Sequence, residues 1–248
     1  MPVILNIETS TSLCSVALAM DGEVIFSKES HDGPSHASLL GVYVEEALGA
    51  AKAGNHSIDA VAVSCGPGSY TGLRIGVSMA KGLCFGYGIP LIGIRTLDLL
   101  ASEAIRHEGG AVDRLYCAMM DARRMEVYAA IYDANLSALR PAAADVVDGQ
   151  TYADFLAKGP VCFFGNGAAK CASVIDSPNA SFLEGIEPLA SAMAPLAEKA
   201  YAASRFEDVA YFEPFYLKEF QATIAKNKVL SEALGERLAN GKAAGKTE

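Results

Sequence analysis

Apolar positions open the chain in short runs with the two-residue rhythm of strands. Val3-Ile-Leu-Asn-Ile-Glu-Thr9 reads as a first buried strand, Ser10-Thr-Ser12 as a corner, and Cys14–Met20 as its partner. Asp21-Gly22 supplies a tight hairpin turn into a third strand, Glu23–Lys28. The period then lengthens. Ser35 is positioned to cap a helix to about Lys52 that turns Leu39, Leu40, Tyr43, Val44, Ala47, Leu48 and Ala51 inward. A strand over 58–64 runs into Gly66-Pro67-Gly68, and a second helix starts near Thr71. Across Gly72–Gly86 its polar side chains are Arg74, Ser78 and Lys81, one narrow stripe on an otherwise apolar helix.

A strand over 90–95 and a helix over about 97–107, capped by Thr96, end at Gly109-Gly110, the expected domain boundary. Past it the β pattern restarts: 115–120, the loop 121–125, then 126–132. A strand over 161–164 opens through Gly165-Asn-Gly167 into a helix over roughly 168–176, and Pro188 begins an alanine-rich helix to about Ser204. Both halves thus begin with an antiparallel hairpin and continue through strand-turn-helix units. The pattern predicts a pseudo-duplicated α/β chain: an N-terminal lobe over 1–108, a second lobe over 109–218 and a polar, partly disordered tail over 219–248. In that tail Ile224, Leu230, Leu234 and Leu238 mark a weak helix, and residues 240–248 read as disordered.

Composition narrows the function classes. Of 248 residues 51% are hydrophobic, enough for a large core, and no apolar run reaches the roughly 18 residues of a membrane span. The N-terminus lacks a signal-peptide pattern, so the expected compartment is the cytoplasm. The net charge is −9; residues 218–248 carry six Lys/Arg and four Asp/Glu, net +2, which leaves −11 for residues 1–217. Such a chain is not expected to grip nucleic acid by itself, since phosphate neutralisation needs a basic surface. Cys14, Cys65, Cys84, Cys117, Cys162 and Cys171 lie in apolar segments without C-x-x-C spacing and read as small buried side chains.

Candidate chemistry is sparse. The glycines after the fourth strand match neither a Walker loop, lacking a following Lys-Ser/Thr, nor a dinucleotide fingerprint. Spacing alone leaves open a tight turn or an anion site at a helix N-terminus, with Glu8, Thr9, Ser10, Gly68 and Ser69 as a candidate nucleotide or phosphate cleft. Asp121, Arg123, Arg124 and Glu126 form the densest polar cluster, of unassigned role. His31, His36, His56 and His107 have no metal-ligand spacing, and no Ser sits in a nucleophile elbow. No catalytic or metal-ligating residue is assigned. The stronger argument concerns the second helix: Leu73, Val77, Ala80 and Cys84 can pack on the sheet, whereas Ile75, Met79, Leu83 and the small ridge Gly72, Gly76, Ala80 are left for a partner. On this reading Gly72, Leu73, Ile75, Gly76, Met79, Ala80 and Leu83 form the interface, and Gly76→Leu blocks docking while the chain stays folded.

Four stretches carry a resemblance: Ile4-Leu-Asn-Ile-Glu-Thr-Ser-Thr11, Gly66-Pro-Gly-Ser-Tyr-Thr-Gly-Leu-Arg-Ile-Gly76, Asp121-Ala-Arg-Arg-Met-Glu-Val-Tyr128 and Pro214-Phe-Tyr-Leu-Lys218. The chain resembles the TsaB (YeaZ) family, non-catalytic subunits of the bacterial machinery for threonylcarbamoyladenosine in tRNA; Glu8 and Lys218 stand where that family usually has Asp and Arg. The resemblance implies an actin/sugar-kinase/Hsp70-like fold of two lobes, each with a mixed sheet and helices. It also implies a heterodimer with the catalytic paralogue TsaD through the second helix, help in recruiting the ATPase TsaE, and tRNA contact only through the complex. A homodimer is expected when the chain is alone. No cofactor of its own is implied, with ATP or ADP at the complex interface. The rival readings are an ATP-dependent phosphotransferase of the same fold, with Glu8, Thr9 and Ser10 near the phosphates, and a glycoprotease-like metallopeptidase.

Overall fold

The computed structural model describes residues 1–31 and 36–218; the cap expected at Ser35 and the tail over 219–248 lie outside the described residues. The opening pattern folds as three antiparallel strands, β1 (Val3–Glu8), β2 (Cys14–Met20) and β3 (Glu23–Ser30), followed by helix α1 (His36–Ala53). Strand β4 (Ala60–Gly66), helix α2 (Tyr70–Tyr87) and strand β5 (Leu91–Arg95) complete a sheet of order β3-β2-β1-β4-β5, in which β1, β4 and β5 are parallel. After helix α3 (Thr96–His107) come β6 (Leu115–Asp121), β7 (Glu126–Tyr132), β8 (Ala138–Val146), α4 (Ala153–Leu156), β9 (Val161–Phe164), α5 (Ala168–Cys171) and β10 (Ala180–Leu183). Their sheet order is β10-β9-β6-β7-β8. Counted from its own first strand, the second sheet repeats the connectivity of the first, antiparallel hairpins on one side of the founding strand and parallel strands on the other. This is the duplicated two-lobe α/β architecture of the actin/sugar-kinase/Hsp70-like class.

The central strands β1 and β4 are buried along their whole length because both sheet faces are covered. On one face of the first sheet Val3, Leu5 and Ile7 meet Leu40, Val44 and Ala47 of α1 and Val77, Ala80 and Cys84 of α2. Ile4, one residue out of phase, joins Ala60, Ala62, Ile92 and Ile94 on the other face. That face is covered from the far end of the chain, by Met193, Ala197 and Ala200 of a 3-10 turn (Ser191–Met193) and helix α6 (Ala194–Ala202). Helix α3 makes the reciprocal exchange: Leu97, Leu100, Ala101 and Ala104 pack on Tyr116, Ala118 and Phe164 of the second sheet. The Tyr132 hydroxyl adds a 2.7 Å hydrogen bond to Asp98. The last helix of each repeat thus seals the other repeat's sheet, within one compact unit spanning residues 1–218.

Five elements differ from the pattern reading, two of them, α4 and β10, lying where no element was expected. The helix expected from Pro188 begins only at Ala194, because Pro195 has no N–H to donate and is tolerated only in a first turn. The helix expected over 168–176 closes at Cys171, and Val174 and Ile175 instead turn back to the Cys171 carbonyl. Strand β8 was not foreseen: its alanines carry no alternation, and Pro141 argues against a strand interior. It sits at the sheet edge, and the register skips between Arg140 and Ala143, where a proline is tolerated. Among the described residues, no helix is long and apolar enough to cross a membrane.

Candidate functional site

The duplication puts two equivalent corners into the molecule, each joining a first hairpin to the loop after the fourth strand of its repeat. In the first, Glu8 ends β1, and Thr9 and Ser10 turn toward the loop between β4 and α2. The Ser69 amide donates to the Ser10 carbonyl at 2.6 Å, the Thr9 hydroxyl donates to the Gly72 carbonyl at 2.8 Å, and Ser69 Oγ caps α2 by accepting from the Gly72 amide at 3.2 Å. Glycine makes this approach possible. A Cβ on Gly68 would lie 2.4 Å from the Ser10 carbonyl oxygen, one on Gly72 2.0 Å from that of Thr9, and one on Gly76 2.3 Å from Thr9 Oγ1.

The four-residue glycine ridge is therefore spent inside the chain. Gly72, Leu73, Gly76 and Ala80 are buried against their own lobe, which corrects their assignment to a partner interface, and Gly76→Leu would collide with Thr9 rather than spare the fold. Ile75, Met79 and Leu83 are only half-buried. With Arg74, Ser78, Gly82 and Ala37 they line an open groove of about 690 Å³ between α2 and the start of α1.

Glu8, Thr9, Ser10, Gly68 and Ser69 do come together, but as a packed joint. Glu8 and Thr9 are fully buried and Ser10 nearly so. Burial pushes the Glu8 carboxyl up to about 7; the Ser10 amide, which donates to Glu8 Oε1, and the nearby Ser10 and Ser64 hydroxyls oppose this only in part. Among the described residues Glu8 Oε2 and the Ser10, Ser64 and Thr96 hydroxyls have no partner that meets hydrogen-bond geometry. A fully enclosed carboxyl with the Ser10 and Ser69 amides beside it already engaged does not fit a phosphate, and the expectation that Glu8 faces a cleft is corrected.

A strap that the periodicity did not reveal covers the loop from outside. Glu207 bridges to Leu91, Phe212 lies over Gly93, the Phe215 amide donates to the Cys65 carbonyl at 2.7 Å, and the Arg95 guanidinium lies 3.8 Å from the Phe215 ring centre. The strap also takes up part of the polar stripe. Lys81 donates to the Ala210 and Phe212 carbonyls at 3.1 and 3.0 Å, and Arg74 to the Tyr216 hydroxyl at 3.3 Å. Pro214-Phe-Tyr-Leu-Lys218 is the segment that fastens it.

The second corner is open and charged. Arg123 and Arg124, both exposed, have φ of 70° and 49°. The turn is closed by the Ala122 amide on the Glu126 carbonyl at 3.0 Å, the Glu126 amide on the Arg123 carbonyl at 3.1 Å and the Arg123 amide on Asp121 Oδ1 at 3.0 Å. Its two acids are engaged: Lys170 pairs with Asp121, and Lys218, at the end of the strap, pairs with Glu126. The loop after β9 holds the corner as its counterpart does, with the Asp121 amide donating to Asn166 Oδ1 at 2.9 Å and the Gly167 amide to the Met119 carbonyl at 3.1 Å.

The remaining titratable groups lie apart from both corners or are inert. His36 is buried with its ring 3.0 Å from the Leu13 carbonyl, and His31 lies 3.4 Å from both Glu29 and Glu187. All six cysteines are free and buried, and burial pushes Cys14 and Cys84 up to about 11 and Cys65 up to about 12. Among the described residues, no three His, Cys, Asp or Glu side chains converge as a metal set.

Comparison with known proteins agrees with this geometry. Residues 31–226 match the family model described as TsaD, tRNA N6-adenosine threonylcarbamoyltransferase. The tRNA threonylcarbamoyladenosine biosynthesis protein TsaB of Escherichia coli is 40% identical over 129 residues, 52% of this chain and 54% of that protein. TsaB of Bacillus subtilis is 33% identical over 129 residues, again 52% and 54% of the two chains. The chain thus spans about half the length of the curated relatives it matches. The solved structure of YeaZ from Pseudomonas aeruginosa superposes with a TM-score of 0.69 at 26% identity, covering 88% of this chain and all of that one. A second structure, with similarity to peptidase YeaZ from the same organism, gives a TM-score of 0.75 at 27% identity over the same shares. By family model, relatives and fold together, the chain belongs to the TsaD family and, within it, to the TsaB (YeaZ) group.

Proposed function

We propose that the protein is a non-catalytic subunit in threonylcarbamoyl transfer to adenosine 37 of tRNA, acting by docking α2 against a catalytic TsaD-like paralogue. The observation that carries this is the division of α2 into two faces. Its Gly72 and Gly76 are taken up by Thr9, yet Ile75, Met79 and Leu83, at four-residue spacing, form a half-buried apolar row beside Ala37. Completing the burial of such half-buried side chains against a second helix contributes about 1 kcal/mol each. The packed first corner favours a structural role for the lobe over phosphoryl transfer.

In this reading the chain needs no cofactor of its own, ATP or ADP belongs to the assembled complex, and a TsaE-like ATPase joins it. The protein works in the cytoplasm, and the same row pairs two copies when the paralogue is absent. Reconstitution tests the proposal. With an activated threonylcarbamoyl donor supplied, transfer to a tRNA transcript is expected from paralogue, ATPase and this chain together, and neither transfer nor ATP turnover from this chain alone. ATP turnover by the isolated chain would overturn it in favour of a phosphotransferase.

A further inference from the structure

We infer that Arg123 and Arg124 form a contact site for the RNA phosphate backbone at the edge of the docking helix; this rests on the tRNA-modifying role proposed above. Three observations carry it. Both arginines are exposed, and neither has an ion-pair or hydrogen-bond partner for its guanidinium among the described residues, whereas the two acids of the same hairpin are held by Lys170 and Lys218. Counting those pairs as neutral, the hairpin presents two positive charges uncompensated among the described residues, on a body (residues 1–218) of net charge −10. Its backbone, moreover, holds two successive non-glycine residues in the left-handed region, a conformation costing roughly 1–2 kcal/mol per residue. Asp121, the Glu126 carbonyl and the Lys170 bridge maintain it, so the guanidinium stems leave a fixed tip.

Position selects RNA over another anionic partner. Tyr216 touches Arg74 at the start of α2, and Lys218, two residues on, touches Glu126, so the hairpin lies beside the N-terminal end of the proposed docking helix. The apolar row on α2 already serves a protein partner. A polyanion lying along that joint would be repelled by the acidic body except where Arg123, Arg124 and Arg74 face it.

The test uses the full-length chain bound to its catalytic paralogue and a fluorescent tRNA transcript, with affinity measured from 50 to 200 mM salt. Arg123→Gln/Arg124→Gln is expected to weaken binding and to reduce the slope of log affinity against log salt by about 1.4–1.8, the loss of two phosphate contacts. Arg123→Lys/Arg124→Lys is expected to keep the slope. Unchanged melting of the glutamine variant, followed by circular dichroism, separates the effect from unfolding. An unchanged slope in the glutamine variant, where the wild-type complex binds tRNA, would overturn the inference and leave the proposed function standing. Loss of paralogue affinity with tRNA binding intact would overturn it in favour of an acidic protein surface. A complex that forms but binds no tRNA would overturn both.

Discussion

The two corners have the same connectivity and opposite chemistry. At the first, the β1–β2 turn presses its carbonyls onto Gly68 and Gly72, Glu8 is enclosed at a raised pKa, and Ser69 caps an eighteen-residue helix. At the second, the β6–β7 turn projects two arginines into solvent, its acid Asp121 is exposed, and the following helix is a four-residue turn. Closing the first corner holds the start of α2 against its own lobe and leaves Ile75, Met79 and Leu83 half-buried on another face. The short second helix leaves its hairpin free of such a covering, so its charges can meet a ligand. One repeat supplies the joint and the other the charge.

Substitutions at the first corner should have the largest effects. Gly72→Ala places a methyl group 2.0 Å from a backbone oxygen that cannot move alone, and is expected to destabilise the fold by about 3 kcal/mol or more. Gly76→Ala, which meets the Thr9 side chain, should cost less, in a denaturant titration of both. Equal, negligible costs would mean that the corner is not the packed joint described.

Glu8→Gln gives the next effect, and its sign depends on pH. The folded state raises the Glu8 pKa from 4.5 to about 7, so the folded chain holds a proton that the unfolded chain releases between these values. The stability that Glu8 contributes is fully present below about 4.5 and is lost as pH rises to about 7, by roughly 3 kcal/mol. The amide stays neutral and can donate to the unpartnered Ser10 and Ser64 hydroxyls. Its advantage over Glu8, read from melting curves, should therefore grow from near zero at pH 4.5 to as much as about 3 kcal/mol at pH 8. A pH-independent difference would remove the enclosed carboxyl from the account. The smallest effect belongs to the second corner, where Arg123→Gln/Arg124→Gln should leave stability within about 0.5 kcal/mol while changing RNA affinity.

Much of the first repeat was legible in the sequence because its strands and helices carry strong periods: β1, the Asp21-Gly22 hairpin, β4 and α2 fall where the pattern puts them. Periodicity was silent on β8, whose alanines and Pro141 alternate with nothing, and on the strap over 207–218, which is held by backbone bonds and isolated aromatics. The face of α2 was misread for a different reason. Glycine has no side chain to mark direction, so the small ridge Gly72, Gly76, Ala80 serves equally for close approach by a partner or by the chain's own turn. Only the position of Thr9 and Ser10 decides. The second corner was visible as a dense polar cluster, but not which of its charges are already paired, since Lys170 and Lys218 come from distant parts of the chain.

The central claim is that α2 packs inward through its glycines and outward through Ile75, Met79 and Leu83. Calorimetric titration of the TsaD-like paralogue into the Met79→Asp variant tests it most directly, because Met79 is half-buried at the groove and away from the Thr9 contact. The account predicts that heterodimer formation is lost, a drop of at least 100-fold in affinity or about 3 kcal/mol, in a chain that still melts cooperatively at a somewhat lower temperature. Wild-type affinity in a folded Met79→Asp chain would contradict it.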